Sequence, residues 1–129
     1  MNAQDFLNDL YDEGDRDILF FDFIAGSVAY DLDDVPYEKS ALQVFNETLA
    51  IAEYLLSTGD FSAGCMTNKD GVVELVIYDD GIQGFANDAR EFFKTQGPRG
   101  DGLSWRLTLK KINIGKPAPV APEFLQTLV

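Results

Sequence analysis

The hydrophobic pattern of the sequence changes its period near residue 60, and this change constrains the fold more than any other feature. Up to Gly59 the apolar residues repeat at helical spacing. Residues 61–67 and 72–78 have strand character instead, and the sequence Asn-Lys-Asp-Gly between them is typical of a hairpin turn. A helix followed directly by an antiparallel hairpin predicts an α+β domain, in which helices pack on a small antiparallel sheet.

The helix before the hairpin carries the clearest signals in the chain. Ser40 and Gln43 have capping-box spacing at its start, and Gly59 is placed to follow its C-terminus in the left-handed conformation. One face of the helix is apolar, so we expect Leu49, at its centre, to be buried. The residues assigned to this face are Leu42, Phe45, Leu49, Ala52 and Leu56.

The other predicted elements complete the order helix-helix-helix-hairpin-helix-strand. They are a helix over residues 2–11 that Gly14 ends, an apolar segment over 18–30, a helix around 85–93 and a strand over 103–111. Segment 18–30 is a mostly buried helix or, alternatively, a strand pair that turns at Gly26. In the strand 103–111 apolar and polar residues alternate, which predicts one buried face that includes Trp105 and one wet face that includes Thr108.

A length of 129 residues favours one domain, which we place at residues 1–115. Residues 116–129 form a Pro-rich tail that should be extended at first. Its end carries three large apolar residues, Phe124, Leu125 and Leu128, which allow a short docking helix. A frayed terminus is the alternative.

Charge is divided unevenly between the two halves of the chain. The first 60 residues hold 14 acids and two bases, whereas the remaining residues hold eight of each, so the whole net charge of −12 belongs to the first half. Such a field repels nucleic acids and anionic membranes and attracts basic proteins. The alternative is an acidic surface that serves solubility alone.

Several kinds of catalytic site lack their usual residues in this sequence. The chain has no histidine, which excludes Ser-His-Asp and Cys-His constellations and histidine-containing zinc sites. Cys65, the single cysteine, fits a reducing compartment and reads as a small buried residue in a strand. No motif indicates a metal or cofactor. We therefore expect a cytoplasmic protein without signal peptide or membrane span, not an enzyme.

One acidic motif allows an enzymatic alternative. Asp31-Leu32-Asp33-Asp34-Val35 follows an apolar run and resembles the nucleophile motif of haloacid-dehalogenase-type phosphatases. That resemblance implies a magnesium-dependent phosphoryl hydrolase in which Asp31 attacks phosphorus and Asp33 handles the leaving-group proton. Such a motif works on a parallel βαβ scaffold, which the sequence does not predict. Its simpler interpretation is an acidic turn ahead of a helix.

Two further segments carry a different resemblance. Residues 49–64 run from a helix ending in Leu-Leu through a glycine turn into a strand, and residues 97–105 read Gly-Pro-Arg-Gly-Asp-Gly-Leu-Ser-Trp. Together they resemble small bacterial immunity proteins of polymorphic-toxin and contact-dependent growth inhibition systems. The resemblance implies a compact acidic protein that neutralises a cognate toxin domain by binding it.

The acidic first half supplies an independent reason for a basic protein as partner. The candidate contact residues are Asp31, Asp33, Asp34 and Glu38, which precede the best-defined helix, together with Asp12 and Asp15. A second hypothesis is an acidic type III secretion chaperone that binds an effector segment as a dimer. Neither hypothesis requires a nucleic acid, a membrane or a cofactor.

Overall fold

The computed structural model describes residues 2–30, 33, 35–96 and 107–127, and the backbone alone of residue 96. Within these residues the chain forms five helices and a four-stranded antiparallel sheet, which confirms the α+β class. The helices are α1 (Ala3–Arg16), α2 (Phe21–Ala29), α3 (Ala41–Ser57), α4 (Ile82–Gln96) and α5 (Glu123–Gln126). The strands are β1 (Leu19–Phe20), β2 (Phe61–Lys69), β3 (Val72–Ile77) and β4 (Leu107–Lys111).

The sheet has the strand order β1-β4-β2-β3, so β1 and β3 are its edges. The predicted hairpin is β2 with β3, whose closing pair is Lys69 with Val72. Asp70 and Gly71 form the turn between them, with φ angles of 54° and 82°. Two consecutive positive φ values are typical of the type I′ turn, whose twist matches that of the flanking strands.

Helices α1 and α4 pack against the same face of the sheet. The ring of Tyr11 in α1 meets the ring of Phe61 edge-on at 5.2 Å, and Tyr78 beyond β3 meets Phe85 of α4 edge-on at 6.2 Å. Phe61 and Tyr78 point to one side, because Tyr78 lies opposite Ala63 and residues two apart in a strand share a face. The core between the layers includes Leu49, which is 4% exposed as predicted.

Helix α3 begins and ends where the sequence predicts. The Ser40 hydroxyl accepts a hydrogen bond from the Gln43 backbone N–H at 3.1 Å, and Gly59 adopts a φ of 79° after the helix. The expectation that Leu42 is buried is wrong, since its side chain is 55% exposed. The first turn of α3 projects past the core, which this helix enters only at Phe45.

Helix α1 does not end at Gly14 but continues to Arg16. Gly14 is buried where α1 approaches the sheet: a Cβ atom there would lie 2.9 Å from Cε2 of Phe61 and 3.3 Å from Cβ of Lys111. The absence of a side chain therefore permits close packing here instead of terminating the helix.

Segment 18–30 is mostly helical, as expected, and the alternative of a strand pair turning at Gly26 is wrong, because Gly26 lies within α2. Leu19 and Phe20 form β1, paired with β4, and helix α2 follows at once. A two-residue strand is too short to leave a periodic signal in the sequence. Phe23 departs from the expected burial, because it lies on the outer side of α2 and is 44% exposed.

The structure describes the second half of the last predicted strand, which is β4. The polar face of this strand is not exposed to solvent along its whole length. Thr108, which pairs with Phe20 of β1 on one side and with Gly64 of β2 on the other, is fully buried, and Lys111 is buried on the core side. Lys110 is exposed as expected. The predictions for residues 103–106, including a buried Trp105, lie outside the described residues.

The C-terminal segment runs extended over residues 116–122 and then forms α5 against the body. The Gln4 side chain of α1 accepts a hydrogen bond from the Ala121 N–H at 2.7 Å and donates one to the Pro119 carbonyl at 2.9 Å. Leu125 is fully buried, and Phe124 meets Tyr54 edge-on at 5.6 Å. Leu128 lies outside the described residues. Among the described helices, none is long and apolar enough to cross a membrane.

Candidate functional site

The connection between α2 and α3 is closed at its base. Tyr30 and Pro36 form an isolated antiparallel bridge, and the Tyr37 N–H donates to the Ala29 carbonyl at 2.9 Å. The chain therefore leaves α2 and returns beside its end. Asp33 and Val35, the described residues between these contacts, therefore belong to a loop with a fixed base.

Lys39 connects this loop to the helices on both sides. Its ammonium group lies 2.9 Å from a carboxylate oxygen of Glu47 in α3 and donates to the Val28 carbonyl in α2 at 3.0 Å. The Lys39 and Glu47 side chains are only 12% and 11% exposed. The same ammonium lies 5.0 Å from the centre of the Tyr37 ring, a cation–π distance that helps orient this ring.

Large apolar side chains are exposed around this loop. Phe23, Tyr30, Val35 and Tyr37 are exposed by 44%, 40%, 53% and 43%. Phe23 lies in α2, and Tyr30 follows the end of this helix in an extended conformation. Tyrosine and other aromatic residues are common at the energetic centres of protein–protein interfaces.

Two of the predicted contact acids lie within this group. Asp33 and Glu38 are exposed, and each is close in sequence to one of the exposed apolar residues Val35 and Tyr37. Asp31 and Asp34 lie outside the described residues. We use the name α2–α3 surface for Phe23, Tyr30, Asp33, Val35, Tyr37 and Glu38.

The other two predicted acids, Asp12 and Asp15, belong to α1 and differ from each other. Asp12 is exposed, and Asp5 and Asp9 precede it at helical spacing on the same exposed side. Asp15 instead accepts hydrogen bonds from the Lys111 ammonium at 2.5 Å and from the Gly115 N–H at 2.9 Å.

Asp15 is part of a lysine–aspartate cluster formed by Tyr11, Asp15, Asp60, Lys111 and Lys116. The Lys111 ammonium is fully buried, lies 4.9 Å from the Tyr11 ring centre and donates to the Lys116 carbonyl at 2.6 Å. Asp60 is 2% exposed, and its carboxylate accepts from the Lys116 ammonium at 2.6 Å and from the Tyr11 hydroxyl at 2.7 Å. The cluster attaches the C-terminal segment to α1 and to the turn before β2.

The titration behaviour of this cluster indicates a structural role. The hydrogen bond from Lys116 lowers the pKa of Asp60, and the one from Lys111 lowers the pKa of Asp15. Burial raises the pKa of Tyr11 to about 12. These three groups keep their ordinary charge states near neutral pH, so none of them is suited to exchange a proton there.

The side chains of Tyr78 and Cys65, and the grouping of possible metal ligands, bear on whether the protein could be an enzyme. Burial, and donation of a hydrogen bond to Asp88, raise the pKa of Tyr78, so this phenol also stays protonated. Cys65 is half-buried, not buried as expected. In the part of the chain that the structure describes, no three His, Cys, Asp or Glu side chains are grouped so that they could hold a metal ion.

The scaffold around the Asp31–Asp33 motif differs from the one its phosphatase-like interpretation requires. Residues 21–29 before it are helical, and every described strand pair is antiparallel. The motif therefore does not follow a parallel strand that would aim the first aspartate at a bound phosphoryl group.

A scan of protein-family models and searches of curated proteins and solved structures gave no match to this chain. Functional conclusions therefore depend on the chain's own residues.

Sequence reasoning located the acids of the α2–α3 surface but missed its aromatic residues. Phe23 lies in a run of large apolar residues that predicts burial, so its exposure has no signal in the local pattern. Tyr37 could have been found, because it sits between Pro36 and Glu38 ahead of a helix start, where side chains are usually exposed.

Proposed function

We propose that this protein is a noncatalytic binding protein whose α2–α3 surface recognises a basic protein. The observation that carries the proposal is the combination, on one closed loop and the adjoining helix, of exposed aromatic residues with exposed carboxylates. Aromatic side chains supply contact area at low conformational cost, and surrounding acids supply charge complementarity to a basic partner.

The distribution of charge supports the same partner class. Among the described residues of the first half, the following acids are exposed: Asp5, Asp9, Asp12, Asp17, Asp22, Asp33 and Glu38. Exposed charges of one sign raise the association rate of an oppositely charged partner and are screened by salt. Candidate partners therefore include toxin domains with basic substrate clefts, and the specific form of the proposal is an immunity protein that occupies such a cleft.

The experiment begins with partner capture. The chain is co-expressed with the products of its neighbouring genes, and a co-purifying protein is identified and titrated by calorimetry. Replacing Phe23, Tyr30 and Tyr37 together by alanine should weaken binding by at least about a hundredfold, the size expected when interface hot spots are truncated. Val120→Ala is the matched control, because Val120 is 88% exposed and lies outside the surface.

The outcomes separate the proposal from its rivals. A basic globular partner, inhibited on binding and dependent on the three aromatic residues, supports an immunity protein. An obligate dimer that holds an unfolded effector segment supports the secretion-chaperone alternative. Equal affinity of the triple variant and the wild type for a captured partner would exclude the α2–α3 surface as the binding site.

A further inference from the structure

Strand β3 is an edge strand with an apolar surface. Within the described residues it pairs only with β2, and its outer side has no neighbouring strand. Val72, Val73, Val76 and Ile77 are exposed by 57%, 54%, 50% and 45%. Exposed apolar edge strands are uncommon, because their free backbone groups pair readily with other chains.

The register of the hairpin determines which backbone groups point outward. The Tyr78 N–H donates to the Ala63 carbonyl at 3.0 Å, so its backbone faces β2. Backbone groups in an antiparallel strand alternate in direction, so Val72, Glu74 and Val76 also face β2. The N–H and C=O groups of the three intervening residues point to the free edge. These are Val73, Leu75 and Ile77.

Acidic residues lie along this edge and beyond both of its ends, and one exposed base, Lys69, lies opposite Val72. Asp70 lies in the turn before β3, Glu74 at its centre, and Asp79 and Asp80 directly after it, and all four are exposed. An edge strand with this charge pattern attracts an extended segment that carries basic residues.

The same charges oppose pairing between two copies of the chain. Two copies of β3 can pair antiparallel and with two-fold symmetry in two registers of longest overlap. In one register Glu74 lies opposite Glu74 of the second copy. In the other register Asp80 lies near Asp70 of the second copy. Like charges opposite each other across strands are destabilising. Each chain also carries a net charge of −12, which adds long-range repulsion.

We propose that the β3 edge binds an extended segment of another protein by strand addition, and that this segment alternates apolar and basic residues. The added strand receives hydrogen bonds from Val73, Leu75 and Ile77. Its apolar side chains lie beside those same three residues, and its lysine or arginine side chains lie on the opposite face beside Glu74. This binding site is separate from the α2–α3 surface and does not depend on it.

The test uses a capped peptide of alternating valine and lysine as the probe. Its control has the same composition with the valines and lysines in two blocks, so that only strand-like alternation differs. Two-dimensional NMR should show that the alternating peptide shifts and protects the amide protons of Val73, Leu75 and Ile77. The block peptide should leave these amides unprotected. Equal effects of both peptides, or none, would overturn the proposal.

Two protein variants sharpen the result. Val73→Pro removes an outward N–H and keeps the bonds to β2, since proline is tolerated at strand edges, and should weaken binding about tenfold or more. Glu74→Lys should lower the preference for the valine–lysine peptide over a valine–glutamate one without reversing it, because Asp70, Asp79 and Asp80 remain. If Val73→Pro fails to fold, Glu74→Lys decides alone, because Glu74 is exposed. Unchanged peptide preference in Glu74→Lys, or a wild-type dimer through β3 in sedimentation equilibrium, would contradict the proposal.

Discussion

Two groups of acidic residues in the first half have opposite environments. In the lysine–aspartate cluster, Asp15 accepts a short hydrogen bond from Lys111 of β4, and Asp60 accepts one from Lys116 of the C-terminal segment. On the α2–α3 surface, Asp33 and Glu38 are exposed beside apolar side chains. Within the same negatively charged half, one group of acids is therefore paired with lysines and the other is exposed to solvent.

The net charge of the chain therefore does not by itself give the surface charge that a binding partner meets. Lys111 and Lys116 lie far along the chain from Asp15 and Asp60, yet they neutralise these two acids in the folded protein. The field that a partner meets comes from the remaining exposed acids. The two regions should therefore respond differently to substitution, pH and salt.

The largest expected difference concerns removal of one carboxylate from each region. Asp60→Ala removes the nearer acceptor of the buried Tyr11 hydroxyl and breaks the bond to Lys116, and should cost about 3 kcal/mol of unfolding free energy. Glu38→Ala should change it by no more than about 0.5 kcal/mol, as is usual for exposed positions. Urea unfolding of both variants measures the contrast, and a similar effect of the two would remove the distinction between the regions.

A second contrast uses one glycine from a helix in each region. Gly14→Ala places a methyl group 2.9 Å from the Phe61 ring and should destabilise by about 1–3 kcal/mol. Gly26→Ala in α2 meets no atom within 4 Å and should stabilise by up to about 1 kcal/mol, because alanine is the better helix former. Thermal unfolding by calorimetry compares them. Destabilisation by both alanines would show that α2 packs more closely than described.

A smaller effect is expected from pH. The pKa of Asp60 is lowered in the folded protein by Lys116, so the unfolded chain binds a proton first as pH falls. The stability from this group is complete above the unfolded pKa of about 4 and is lost as pH falls through the folded value. Asp60→Asn should flatten the acid limb of the stability curve. If the unfolding free energy of Asp60→Asn falls as steeply with decreasing pH as that of the wild type, the pairing of Asp60 with Lys116 is contradicted.

Local sequence signals predicted the elements whose determinants are close together in the chain. Ser40 and Gln43 located the start of α3, and the turn at Asp70 and Gly71 located the hairpin. Strand β1 could not be predicted, because its two residues are ordered by pairing with β4, almost ninety residues away. Thr108 is buried for a related reason, since its neighbours come from two other strands.

The candidate site was predictable only in part. The acids around residue 33 were found from their density, and nothing tests their role as contacts, which remains a prediction. The pairing of Asp15 with Lys111 depends on tertiary structure, so no local pattern distinguishes Asp15 from Asp12. The exposure of Phe23 likewise depends on which side of α2 meets the core.

We propose that exposed acids of the first half steer a basic partner to this protein. Stopped-flow association with the captured partner, measured across a salt series, tests this steering. The wild-type rate should fall about tenfold or more from low to physiological salt, where the Debye length is about 8 Å. The double variant Asp33→Asn/Glu38→Gln should associate more slowly and with a weaker salt dependence. Glu91→Gln/Glu123→Gln, which removes two exposed charges from the second half, should behave more like the wild type. A rate that depends neither on salt nor on Asp33 and Glu38 would contradict the account.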